Sequence, residues 1–419
     1  MQEFCMTQSQ AKRTKSILYY LNLAMTAVFC LPPLLFATFR DMYGISYTLL
    51  GTLVLINFCT QLGVDLLFSF FSTHFDLHKT VKLMPLVTTA GLIIYALVPL
   101  FFPQYAVWGL VVGTVIFSVA AGLDEVLVSP TVAALPSDTP EKDMSTLHSL
   151  YGYGFVGVVV VSTLFLEFVG REWWMYLTLF WAALPVLASI LLMTAKLPEM
   201  NIEQNQTTAQ KPKGRRKALT LCVACIFLGA CAENTMANWI SVYAEKALRM
   251  PKVWGDLLGM ALFAAALALS RTFYAKFGKN IHKTLTFGMV GSAVLYIVVA
   301  LSKGPMLSLV ACVAVGISAS MLWPGSLIFM EENSPSVGVA AYALMAAGGD
   351  LGSSIAPQAF GMIVDKIAVT NWAQAVGTTV SLDAEQVAFK VGLLLVAIFP
   401  LAGYFLLRYM KAYFRKLNI

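Results

Sequence analysis

Ionisable residues inside long apolar runs are the first chemistry this sequence offers. Asp65, Asp124, Glu125, His148, Glu233, Arg271 and Asp350 each stand within such a run. A charge at the centre of a bilayer costs about 2.5–3.5 kcal/mol on insertion scales, so such groups tend to face a cavity or a partner and to work there. Glu125 is the leading candidate, in the segment Gly122-Leu-Asp-Glu-Val-Leu-Val-Ser-Pro130. A carboxyl that is neutral when desolvated and charged when water reaches it can carry a proton. The bland alternative is a permanently protonated acid that only bonds one helix to another.

Asp124 adjoins Glu125, but neighbours on a helix point about 100° apart, so only one of them can face a cavity squarely. Asp350 sits in the run Gly348-Gly349-Asp350-Leu351-Gly352-Ser353-Ser354 ahead of Pro357. That much glycine admits close backbone approach and proline frees a carbonyl, which suits either a cavity-lining carboxylate or a hinge. Asp124 and Asp350 are therefore further proton-coupling candidates. His148, Tyr151 and Tyr153 offer an imidazole and two phenols, able to bond a hydroxylated solute or to cap a helix end. Asn234 and Asn238 lie one turn apart beside Trp239, a group that suits a polyhydroxylated ligand, or equally amide bonds between helices. Asp65, Arg271 and Glu233 read as gate or structural ion-pair residues, with Asp65 and Arg271 paired to each other or each paired locally.

The elements that position these residues follow from composition. Of the 419 residues 58% are hydrophobic and 12% charged, with mean hydropathy +0.75. Soluble domains are about 25% charged and need a polar exterior, so this chain must meet lipid. A spanning helix needs about 20 mostly apolar residues. Twelve such runs are predicted, near 17–39, 47–73, 81–102, 106–135, 145–169, 173–195, 218–244, 254–275, 284–302, 305–330, 337–364 and 385–408. Lys and Arg concentrate in the segments that face one side if the N-terminus is inside, which places both termini in the cytoplasm. The net charge of +6 thus belongs to membrane topology and gives no reason to expect nucleic acid. Cys222 and Cys225 form a CxxC with no βαβ context, and read as small helix hydrophobes.

The polar segment 197–217 divides the chain into an N-terminal six-helix half, 1–196, and a C-terminal half, 218–419. The halves echo each other. Gly122, Pro130, Leu150 and Gly154 recur at one constant offset as Gly316, Pro324, Leu344 and Gly348. Leu49-Leu50-Gly51 recurs as Leu257-Leu258-Gly259, and His78-Lys79-Thr80 as His282-Lys283-Thr284. Several matches in one serial order signal an internal repeat. The expected fold is an all-α membrane protein of twelve transmembrane helices in two pseudo-symmetric six-helix bundles, the major facilitator arrangement, with substrate bound near the midplane.

The residues also resemble a family. The chain is similar to major facilitator transporters of the fucose permease-like branch, and within it to a bacterial group with a fourth-span Glu125-Val-Leu-Val-Ser-Pro130. The same group carries His148-Ser149 with Tyr151, Gly348-Gly-Asp-Leu-Gly352, Gly255-Asp-Leu257, and Ser270-Arg271 with Phe273, Tyr274 and Lys276. The resemblance implies that Glu125 is the proton acceptor and that His148 and Tyr151 fall on sugar-contacting positions. The branch's first-span carboxylate has no counterpart in Cys30-Leu-Pro-Pro-Leu-Leu-Phe36, and Asp76-Leu-His-Lys79 replaces an Asp-Arg-Gly loop pattern.

No Walker A, HExxH or GxSxG signature is present and no GxGxxG follows a strand, so no enzyme activity, cofactor or metal is expected. The expected function is secondary active transport of a small polar solute, a sugar first, by proton-coupled alternating access in the cytoplasmic membrane. Protons, the solute and the lipid bilayer are the expected partners of a monomer. Two alternatives stay open: proton-driven efflux of hydrophobic or cationic compounds, and a non-transporting membrane receptor.

Overall fold

The computed structural model describes residues 6–71, 74–138, 140–198, 215–333 and 339–416, and no strand occurs among them. In lipid the backbone must satisfy its own hydrogen bonds, and a helix does so within one segment. The helices are α1 (Gln8–Met25), α2 (Ala27–Tyr43), α3 (Tyr47–Phe71), α4 (Leu77–Phe101), α5 (Ala106–Ala133), α6 (Pro140–Phe168) and α7 (Trp174–Met193). After residues 199–214, where most of the predicted linker lies outside the described residues, come α8 (Arg215–Val242), α9 (Lys252–Trp254), α10 (Leu262–Phe277) and α11 (Ile281–Leu301). The chain continues as α12 (Pro305–Ala319), α13 (Leu322–Asn333), α14 (Val339–Ala368), α15 (Asn371–Val380), α16 (Ala384–Val396) and α17 (Ile398–Lys416).

Eleven described stretches are long and apolar enough to cross a membrane, among them α1 with α2 as one and α12 with α13 as another. The predicted eleventh span is the 30-residue α14, which stands outside that set because Gly, Ser and Asp350 dilute its apolar residues. Pro85, Pro99, Pro130, Pro185 and Pro357 lie within helices, as membrane spans tolerate where neighbouring helices, hydroxyl side chains or local adjustments can re-satisfy freed groups.

Two compact units form. The first comprises Met1–Pro32 and Thr60–Glu203, the second Pro33–Cys59 and Gln204–Ile419. In the first, Leu18, Leu21, Met84, Leu127, Val128 and Leu192 form a core cluster. Its helices cross where glycine leaves room, as small residues do in membranes. A Cβ on Gly91 would stand 2.5 Å from the Phe117 amide nitrogen, and one on Gly113 2.7 Å from Tyr95 Cβ.

The sequence repeat has a physical content in each unit. Gly122 of α5 packs on Gln61 and Val64 of α3, while Gly316 of α12 packs on Phe263 of α10. Gly154 of α6 abuts Thr26, while Gly348 of α14 abuts Val223 of α8. The two His-Lys-Thr triplets each open a helix. Asp76 Oδ1 accepts the Lys79 amide at 3.1 Å, and Asn280 Oδ1 accepts the Lys283 amide at 3.0 Å, each an N-cap that satisfies an orphan donor. His78 Nε2 then meets the Pro198 carbonyl at 2.7 Å, and His282 Nε2 the Leu407 carbonyl at 3.4 Å.

Candidate functional site

In the first unit, the approach of α5 to α3 at Gly122 decides which acids meet. A residue one turn beyond Gly122 faces α3 again, so Glu125 comes back toward Asp65, which follows Val64. Carboxylate oxygens of Asp65 and Glu125 lie within 4.8 Å of one another. Asp65 is buried and Glu125 is exposed. Asp124 points elsewhere, as the 100° step requires, and is buried with no hydrogen-bond partner for Oδ1 among the described residues.

On α6, Tyr151 and Tyr153 part company, since residues two apart on a helix take nearly opposite directions. Tyr151 is half-buried with its ring edge-on to Phe29 at 5.8 Å, whereas Tyr153 is 58% exposed. The backbone of His148 belongs to α6; its side chain lies outside the described residues.

In the second unit the predicted polar group on α8 is engaged by protein groups, partly on α14 and partly on α8 itself. Asn234 Nδ2 donates to Ser353 Oγ of α14 at 2.8 Å, and Asn238 Nδ2 donates to the Asn234 carbonyl at 2.8 Å. Trp239 is fully buried and donates its indole N–H to the Pro357 carbonyl at 3.1 Å. Its ring packs on Phe36, Tyr47 and Phe360 at centroid distances of 5.5, 5.9 and 5.0 Å, within the usual range for aromatic pairs. Trp239 therefore offers no surface to a ligand in this state, and the Pro357 carbonyl that accepts from it is helix-to-helix structure.

Arg271 does not reach for Asp65. It forms an ion pair with Glu233 at 2.7 Å within its own unit, and its Nε donates to the Ser320 carbonyl at 2.9 Å. Of the two readings for Arg271, local pairing is the one observed. Asp350 is buried in α14, which runs unbroken through the glycine-rich stretch. Gly348 and Gly352 lie against Val223 and Phe227 of α8, and Gly349 against Trp323 of α13. The glycines act here as crossing points for helices, with no hinge visible in the helix path.

Sequence reasoning missed a second set of polar residues, at the ends of α2 and α3 and the helices around them. Lys252 and Asp256 form an ion pair at 2.9 Å with side-chain exposures of 5% and 0%. Lys252 Nζ also donates to the Leu34 carbonyl at 2.7 Å and Ser241 Oγ at 3.2 Å, while Ser241 Oγ donates to Asp256 Oδ1 at 2.5 Å. Arg40 pairs with Glu385 at 3.2 Å and stacks 3.8 Å over the Tyr47 ring, whose hydroxyl donates to Glu385 at 2.8 Å. Lys246 pairs with Asp41 at 2.5 Å. Asp365 of α14 accepts the amides of Tyr47 and Thr48 at 3.2 and 2.6 Å, capping α3 from outside its own sequence. Only the i,i+4 spacing of Lys252 and Asp256 was a local signal. The other pairs join residues far apart in sequence.

A chain whose described residues are nearly all helical, with acids inside its spans and polar clusters at the span ends, has the build of a membrane transporter. The chain belongs to the Major Facilitator Superfamily, whose family model matches residues 18–357. It is a multi-pass membrane protein of a transporter family. No curated relative matches it by sequence. Among solved structures it is similar to a D-xylose–proton symporter, at 15% identity and TM-score 0.74, covering 93% of this chain and 97% of that one. It is also similar to the nucleoside transporter NupG, at 14% identity and TM-score 0.66, covering 96% and 99%. The fucose:proton symporter FucP of E. coli matches at 12% identity and TM-score 0.59, covering 95% and 98%. At these identities the likeness is one of fold.

Proposed function

We propose that this chain is a proton-coupled secondary transporter of a small polar solute, a sugar in the first instance, with Glu125 as the group that binds and releases the proton. The observation that carries the reading is the approach of the Asp65 and Glu125 carboxylates to within 4.8 Å inside two spans. Two carboxylates this close in a low-dielectric setting repel when both are charged, so one proton held between them relieves the repulsion. Loss of that proton to water restores a charge that must stay hydrated, and this ties protonation to which side of the membrane the cavity faces. The likeness to a D-xylose–proton and a fucose:proton symporter supports a sugar and a proton as cargo.

In this scheme Asp350 is a second acid along the path, and Asp124 supports the first pair from the buried side. His148, Tyr151, Tyr153, Asn234 and Asn238 are the substrate-contact candidates. Both termini are cytoplasmic. The clamp that holds α2 and α3 at Leu34, Arg40, Tyr47 and Thr48 then lies at the outer side and must release for outward opening.

Reconstitution tests the reading. In liposomes with an imposed inward proton gradient, the protein should accumulate a sugar from a panel that also holds nucleosides and lipophilic cations. Glu125→Gln should abolish uphill accumulation while leaving solute exchange intact. Uphill transport that survives this substitution would remove Glu125 from the mechanism, and a panel moved only at its lipophilic cations would replace symport with efflux.

A further inference from the structure

A groove opens between the start of α11 and the end of α17, with a volume of about 410 Å³, lined by His282, Lys283, Thr286, Phe287, Val290 and Lys411. None of these residues has a place in the transport reading above. Lys283 and Lys411 are both exposed, and neither forms an ion pair among the described residues. Between them His282 is held by the Leu407 carbonyl, and Thr286 Oγ1 donates to the His282 carbonyl at 2.7 Å, which leaves the threonine oxygen able to accept. The two helices come close because Gly403 of α17 lies against Met289 of α11. The groove thus lies between two helices packed at that glycine.

Its lower wall is apolar and does not stop at the groove. Phe287 and Val290 are 67% and 41% exposed, and the same face of α11 continues through Val294, Ile297 and Leu301, all exposed. These positions recur every three or four residues, hence one stripe, about 21 Å long at 1.5 Å per residue. Such a stripe belongs against lipid chains. Two cations stand at its head, at the end of the helix.

We propose that this groove binds one anionic phospholipid, its phosphate between Lys283 and Lys411 and an acyl chain along Phe287, Val290 and Val294. Basic pockets between membrane helices hold lipid head groups in this way, with the charge fixed at the interface and the chain in the apolar layer. A free phosphate would use the cations and leave the stripe idle. A zwitterionic lipid would fill the stripe and bring its own cation to a site that already has two.

Native mass spectrometry of the detergent-solubilised, full-length protein tests this, titrated with phosphatidylglycerol and with phosphatidylcholine of the same acyl chains. Phosphatidylglycerol should bind more tightly. Lys283→Gln with Lys411→Gln should weaken it by about fivefold for each lysine removed, since a basic residue near the surface contributes on the order of that factor. A control, Lys303→Gln with Lys366→Gln, removes equal charge from exposed sites beyond the far end of α11 and on α14 and should leave binding within twofold of the wild type. Both pairs are surface residues, and circular dichroism with thermal melting checks that all variants fold alike. The proposal is overturned if both lipids bind equally, or if the groove variant loses no more than the control. Displacement of phosphatidylglycerol by equimolar glycerol phosphate would also overturn it, as would a dimer that forms in place of the lipid adduct.

Discussion

The Asp365 carboxylate of α14 caps the first turn of α3, with Oδ2 2.6 Å from the Thr48 amide nitrogen. A helix leaves its first amides without partners inside the helix, and its dipole favours an anion there. Most caps come from the residue just before the helix; this one comes from more than three hundred positions away. Asp365→Ala should lower stability by about 1–2 kcal/mol, the range for a lost N-cap, measured by thermal unfolding in detergent. Ile45, buried just ahead of α3, should also become more open. A cysteine placed there should react faster with a membrane-impermeant maleimide in the Asp365→Ala background, and an unchanged rate would mean that the cap does not hold the clamp shut.

The Lys252–Asp256 pair should be costly to break singly. Lys252→Met leaves a buried carboxylate without its cation, and such losses cost about 3–5 kcal/mol. Lys252→Met combined with Asp256→Leu should recover much of the stability. A double variant no more stable than the single one would show that Ser241 and the Leu34 carbonyl, rather than the charge pair, set the energy.

Asp65 and Glu125 should behave as one titrating unit. Asp65→Asn and Glu125→Gln should each abolish uphill transport, and the double substitution should be no worse than either, since groups that act together are strongly non-additive. Proton uptake measured on solute binding should vanish in all three. Uphill transport or solute-linked proton uptake retained by either single variant would dissolve the pair.

The repeat glycines should differ in what they tolerate. A Cβ at Gly316 meets the Phe263 carbonyl at 2.6 Å, a backbone atom that cannot yield. At Gly122 the nearest atom is Val64 Cβ at 2.9 Å. Gly316→Ala should therefore destabilise more than Gly122→Ala, within the 1–3 kcal/mol typical of overpacking, as read from melting temperatures.

The Lys15 ammonium and the Ser137 hydroxyl hold the Asp143 carboxyl below the usual carboxylate range. A depressed folded value means that its contribution is present above the unfolded value, about 3.9 for Asp, and is lost as pH falls through the folded one. The melting difference between wild type and Asp143→Asn should hold steady from pH 7 to about 5 and shrink below pH 4. A gap that persists at pH 3 would assign the effect to packing.

Sequence periodicity carried the fold far because lipid makes each span announce itself, and because the repeated glycines and His-Lys-Thr caps obey local geometry. The candidate site was legible one helix at a time. Asn234 and Asn238 do share a face, and Glu125 does return to the α3 side of α5. What partners Asn234 and Glu125 meet depends on helices distant in sequence, whereas Asn238 bonds one turn back on its own helix. Nothing local says that Trp239 spends its N–H on Pro357, that Arg271 meets Glu233, or that Asp365 ends at α3. The break at Thr26 that parts α1 from α2 was likewise hidden inside one continuous apolar run.

One stripe of α14 gathers several of these contacts. Ser353 receives Asn234, Pro357 receives Trp239, Gly361 lies against Tyr47, and Asp365 caps α3, each four residues after the last. Four seats at a fixed pitch work like the bitting of a key. Sliding α14 along its axis by one residue also turns it by about 100°, so no small slip moves a partner from one seat to the next. Any motion that frees α3 must therefore lift the stripe away as a whole, and a single inserted residue before Ser353 would misalign all four seats at once.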